Sequence, residues 1–127
     1  MIDAMQSWLA PLTPYLYAAL RIVAGLLFAQ HGVQKLFGWL TDSPPVALWS
    51  QRGLAGVIET FGGLAIALGA FTSPVAFLAS GQMAVAYFQA HLPRGVWPIQ
   101  NGGELAVLYC FLFLYIASRG SGKLSVR

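Results

Sequence analysis

Four apolar runs, at residues 14–29, 53–71, 74–92 and 103–118, fill most of this 127-residue chain and are separated by short polar or proline-bearing breaks. Each is about long enough to cross the roughly 30 Å hydrocarbon core of a bilayer as a helix rising about 1.5 Å per residue. Lipid offers no water to a backbone, so such a chain must satisfy its N–H and C=O groups internally. Only 9% of residues are charged, against about a quarter in soluble domains, and mean hydropathy is +0.67. That composition excludes intrinsic disorder, and a single cysteine excludes a disulfide scaffold. Seven Lys and Arg spread over an apolar chain make no basic stripe, so no nucleic-acid partner is expected. The expected fold is all-α, an integral membrane four-helix bundle forming one domain over 1–127, with spans at about 14–37, 54–71, 74–92 and 102–118.

The breaks carry helix punctuation. Thr13-Pro14 and Ser73-Pro74 place a hydroxyl residue at an N-cap and proline at the first helical position. Asn101-Gly102-Gly103-Glu104 has the spacing of a capping box. Gly38 and the stretch Thr41-Asp42-Ser43-Pro44-Pro45 close the first helix and open a loop of about fifteen residues holding Trp49 and Arg52. Phe71-Thr72-Ser73 leaves only a tight turn, and the last connector runs from Pro93 to Pro98. Residues 1–13, with Trp8 and Asp3 but no Lys or Arg, read as an interfacial lead-in rather than a signal peptide. The helices then run up, down, up, down with both termini on one face. Arg21, Arg119, Lys123 and Arg127 on that face, against Lys35, Arg52 and Arg94 on the other, place the termini in the cytoplasm. Glycines and alanines crowding the second and third helices suit close helix packing.

Ionisable and amide side chains inside spans are the informative ones, because each is costly in lipid. They are Arg21, Gln30, His31, Gln34, Lys35, Glu59, Gln82, Gln89, His91, Asn101 and Glu104. His31, Gln34 and Lys35 share one helix face by their i, i+3, i+4 spacing. Alternating topology brings them level with Glu59, His91, Arg94, Asn101 and Glu104, in the half of the bundle away from the termini. Glu59 lies within its helix and needs a partner or a proton; Lys35 is the first choice of counter-ion and His31 the second. Plainer roles stand beside these: cross-helix bonding by His31, snorkelling by Lys35, capping by Glu104, interfacial placement of His91 and Arg94, and Arg21 reaching cytoplasmic phosphates. No His/Glu pair has metal-ligand spacing on one helix, so no metal is expected. A haem between His31 and His91 would require both at equal depth. Cys110 reads as a small buried hydrophobe.

The motifs His31-Gly-Val-Gln-Lys-Leu-Phe-Gly38, Glu59-Thr-Phe-Gly-Gly63 and Asn101-Gly-Gly-Glu104, in this order and with Arg21, Ala86-Tyr87 and His91 between or before them, resemble the DoxX family of small bacterial inner-membrane proteins. The resemblance spans nearly the whole chain. It implies a four-helix membrane protein associated with oxidoreductase complexes that handle thiols and oxidative stress; the name is shared with DoxD-type subunits of thiosulfate:quinone oxidoreductase. His31, Gln34, Lys35, Glu59, Asn101 and Glu104 occupy the motif positions.

Two functional readings follow. In one, His31, Gln34, Lys35, Glu59, His91, Asn101 and Glu104 form an outward-facing polar cavity for the head of a quinone or small sulfur compound, in an electron-transfer assembly whose redox cofactors belong to partner subunits; no covalent cofactor is expected. In the other, the chain is a non-catalytic scaffold or accessory subunit and the same groups fix helix register. A small-solute transporter is a third class and would require a homo-oligomer to line a path.

Overall fold

The computed structural model describes residues 3–126 and is all-helical, with no strand among them. Met1 and Ile2 of the expected lead-in, and Arg127 of the basic tail, lie outside the described residues.

The first helix begins earlier than its Thr13-Pro14 signal. Asp3 caps α1 (Ala4–Leu9) by accepting from the Gln6 N–H at 2.8 Å, and a 3₁₀ turn at Ala10–Leu12 joins it to α2 (Thr13–Phe37). Pro11 falls in this 3₁₀ turn and Pro14 in the first turn of α2, where missing N–H groups are tolerated. The 34 residues Ala4–Phe37 are, among those described, the one helix long and apolar enough by composition to cross a membrane. At roughly 50 Å, it exceeds a bilayer core. Gly38 ends it in the left-handed conformation, φ 69°.

The second helix begins ahead of the expected span at about 54–71: Ser50 caps it, accepting from Gly53 N–H at 3.0 Å. This helix is α-helical at α3 (Gln51–Val57), widens to a π-helix at Ile58–Gly62 and resumes at α4 (Gly63–Leu68). Gly69 in the left-handed region and Phe71 at φ 50° make the tight turn into α5 (Thr72–Ala86). Ser73 is thus inside the helix and caps nothing. The third helix ends in a second π segment, Tyr87–His91, and a 3₁₀ turn, Leu92–Arg94. The short α6 (Pro98–Asn101) precedes α7 (Glu104–Arg119).

The capping box does not form. Asn101 closes α6 and its Oδ1 accepts from Gly103 N–H at 2.8 Å, while Glu104 is the first residue of α7. Two glycines that adopt non-helical backbone angles put the helix start beyond reach of the Asn101 side chain.

The helices form two antiparallel hairpins. In the first, α2 lies against residues 51–68 so closely that a Cβ on Gly25 would sit 2.5 Å from the Gly63 carbonyl oxygen and one on Gly63 the same distance from that of Gly25. In the second, α5 lies along α7, with Ser80 Oγ donating to the Cys110 carbonyl at 2.7 Å. Side chains rather than backbones join the hairpins: Phe28 packs on Phe113 and Tyr109, with ring centroids 4.8 and 5.6 Å apart.

Arg21 is fully buried at the turn end, and lipid phosphates are not its partners. Its guanidinium donates to the carbonyls of Ile66 at 2.9 Å, Ala67 at 3.3 Å, Lys123 at 2.8 Å, Leu124 at 2.6 Å, and Ser121. Positive charge at the C-terminus of α4 meets that helix's unsatisfied carbonyls. The same group folds the tail back onto the bundle, where Val126 N–H bonds to the Leu68 carbonyl at 2.9 Å.

Candidate functional site

At the other end the hairpins part. Helix α5 meets residues 58–68 near the turn but not along α3, leaving a cleft of about 1010 Å³. The cleft reaches between all four long helices: His31 and Lys35 from α2, Glu59 from the second helix, Gln82 and His91 from the third, Tyr109 from α7.

Glu59 is its centre. It is 1% exposed, and its Oε2 accepts from Lys35 Nζ at 2.6 Å and from Gln82 Nε2 at 2.6 Å. One carboxylate oxygen therefore ties three helices. Lys35 is the counter-ion, its side chain 25% exposed on the cleft side of the pair. Position matters as much as identity: Glu59 lies in the π segment, and a π turn changes which residues face a neighbour, a feature frequent at functional sites. Glu59 Oε1 and Gln82 Oε1 are buried without a hydrogen-bond partner among the described residues, as is Thr60 Oγ1. Unpaired buried oxygens are costly in a folded protein, so the pair beside the cleft leaves acceptor capacity for a ligand.

His31 lines the cleft with its ring edge-on to Tyr109, centroids 6.5 Å apart. His91 lines the rim, with Nδ1 donating to the Asn101 carbonyl at 3.2 Å and its ring stacked on Tyr87. A carbonyl only accepts, so Nδ1 carries the proton of that bond and Nε2 is left to face the rim. Gln51 and Gln89 bond across the mouth at 2.6 Å.

Three expected members lie elsewhere. Gln34 donates to the Leu40 carbonyl at 2.9 Å, closing the end of α2 instead of facing the cleft. Asn101 is buried under the last connector, its Nδ2 donating to Tyr87 Oη and to the Gly95 carbonyl, both at 3.0 Å; it shapes the turn. Glu104 is exposed in a separate shallow recess with Pro98, Leu108 and Phe111. Shared level along the bundle brings these residues to one end, but the direction of each side chain takes Gln34 and Glu104 away from the cleft and Asn101 into the connector. Gln82 belongs in their place. The signal was available: Gln82 and Glu59 stand at similar distances on either side of the turn at Phe71, which puts them level across an antiparallel pair.

Among the described residues an all-helical fold, an apolar exterior, one helix of membrane length and a buried acid–base pair beside a cleft are the features of a membrane-associated class with an internal polar site. A model of the DoxX family matches residues 16–92, and the chain belongs to that family. It is also 41% identical over 120 residues, 86% of each chain, to a Haemophilus influenzae protein described as uncharacterized. No solved structure matches it.

Proposed function

We propose that this protein is a multi-pass subunit of the bacterial inner membrane, a single four-span bundle with both termini cytoplasmic, that binds the head of a quinone in its cleft within an electron-transfer assembly. The observation that supports the reading is the Lys35–Glu59–Gln82 group: a charge-balanced cluster with spare donors and acceptors midway along a largely apolar cleft, the usual composition of a small-molecule site. The residues fit such a head. Lys35 has N–H groups beyond the one given to Glu59, and His31 adds a ring nitrogen, so carbonyl oxygens find donors. Glu59 Oε1 and Gln82 Oε1 suit the hydroxyls of the reduced form, and Glu59 is placed to take up or release the accompanying proton. Electrons would pass to and from partner subunits. A small sulfur compound would use the same donors without filling the apolar part of the cleft.

The reading is tested by thermal unfolding of the purified protein in mild detergent with and without decylubiquinone. Wild type is expected to melt higher with the quinone, and Glu59→Gln, which keeps the side chain's shape, to lose that response. An equal rise in Glu59→Gln overturns the assignment.

The scaffold reading draws on a different observation, that one carboxylate oxygen joins three helices. It gains support if decylubiquinone leaves wild type unchanged while Glu59→Gln lowers the ligand-free melting temperature.

A further inference from the structure

The polar group stands midway along the cleft, but much of the cleft's long wall is apolar and opens sideways. On α5 it is formed by Pro74, Phe77, Leu78, Gly81 and Val85, all exposed and recurring at helical spacing along one face. Pro74 and Val85 are roughly 16 Å apart along the helix at 1.5 Å per residue. At the centre of this strip is Gly81. A Cβ built there meets nothing within 4 Å, whereas at Gly25, Gly32 and Gly63 it would strike the facing backbone. A mid-helix glycine lacks alanine's helix-forming advantage, and no close backbone approach requires one at position 81. What its missing side chain supplies is space, one and a bit turns from α5's exposed Phe77 and next to Gln82.

We infer that the strip over Gly81 is a lateral groove for the single apolar chain of a lipid-soluble ligand whose uncharged head donates hydroxyl groups to Glu59 and Gln82, any carbonyl oxygen on it accepting from the N–H groups of Lys35 or Gln82. The inference deepens the quinone reading and rests on it for the head site. Charge selects the head: Lys35 and Glu59 already neutralise each other at 2.6 Å, and an anionic phosphate would add repulsion at the Glu59 carboxylate. Hydrogen bonding selects against a packed partner helix, whose backbone groups are already paired within it and would leave Glu59 Oε1 and Gln82 Oε1 orphaned. The chain lies along the groove and leaves into the bilayer between the second and third helices, so the ligand enters from the membrane rather than from water.

The experiment compares wild type, Gly81→Ala, Gly81→Leu and Gly81→Phe for binding of three probes in detergent: decylubiquinone, the same ring without its decyl chain, and monoolein, an uncharged single-chain lipid. Native mass spectrometry reports oligomeric state alongside. Because the new side chains enter open space, all three variants are expected to melt near wild type, and Gly81→Leu serves should Gly81→Phe misfold. Tailed probes are expected to bind Gly81→Leu and Gly81→Phe about tenfold more weakly, a free-energy change near RT ln 10, while the tail-less ring binds all variants alike. If decylubiquinone fails to bind but monoolein binds in a manner that depends on position 81, the quinone head is wrong and the groove stands. The groove is overturned if neither tailed probe binds wild type, if position 81 leaves tailed-probe affinity unchanged, or if tailed and tail-less rings bind wild type equally. Competition by phosphatidylglycerol stronger than by monoolein overturns the uncharged head. A wild-type dimer lost in Gly81→Phe with no change in probe affinity identifies a second copy as the occupant and overturns the proposal.

Discussion

Glu59 has two oxygens in different circumstances: Oε2 takes both Lys35 and Gln82, and Oε1 takes no protein donor among the described residues. Removing Lys35 strands a carboxylate that is 1% exposed, so Lys35→Met is expected to destabilise by about 2 kcal/mol, below the roughly 3–5 kcal/mol of a fully buried broken pair because Lys35 itself is partly solvated. Removing both charges together, as Lys35→Met with Glu59→Gln, is expected to recover at least half of that loss. Unfolding midpoints of the four proteins in one detergent measure the coupling; strict additivity would show that the pair contributes nothing to folding. Arg21 contrasts with Lys35. Its partners are carbonyls rather than an acid, so no single substitution elsewhere can discharge it, and its role is to hold backbone.

At the scale of elements, close approach and divergence divide the labour. Gly25 facing Gly63 lets the first hairpin close. Gly63→Val is expected to destabilise by about 3 kcal/mol or more, since the new carbons would overlap backbone that cannot move like a side chain. Gly81→Ala is expected to be neutral or stabilising by about 0.5 kcal/mol. Thermal melts of the two variants side by side check both, and a similar loss in each would contradict the packing described. The same elements show what a sequence reveals. Apolar run length and proline-bearing breaks located four long helices, and antiparallel register brought Lys35 to Glu59. Rotation was illegible. The π turns at Ile58–Gly62 and Tyr87–His91 rotate the second and third helices without a residue signature of their own, and on α2 and α7 a shared level does not fix the direction in which Gln34 and Glu104 leave their helix axes. Ser50 carries a readable cap signal, but it lies ahead of the apolar run at 53–71.

For the whole molecule, the two hairpins are fastened at the turn end and splayed at the other. That polarity carries a topological prediction. In a Cys110→Ser background, Gln6→Cys and Lys123→Cys are expected to react with a membrane-impermeant maleimide only after the cytoplasmic side is opened, and Ser43→Cys to react in intact spheroplasts; the reverse pattern inverts the orientation. The fastening also has a place in time. Arg21 receives two of its acceptors, Ile66 and Ala67, from segments 45 and 46 residues downstream, but those from Ser121 to Leu124 stand 100 to 103 residues away. At about 5–20 residues per second of synthesis, roughly 5–20 s separate the emergence of this guanidinium from that of its last partners. Until Ile66 and Ala67 emerge the guanidinium has none of these acceptors, and until Leu124 does it lacks the full set, so the order of synthesis sets when this end of the protein can lock.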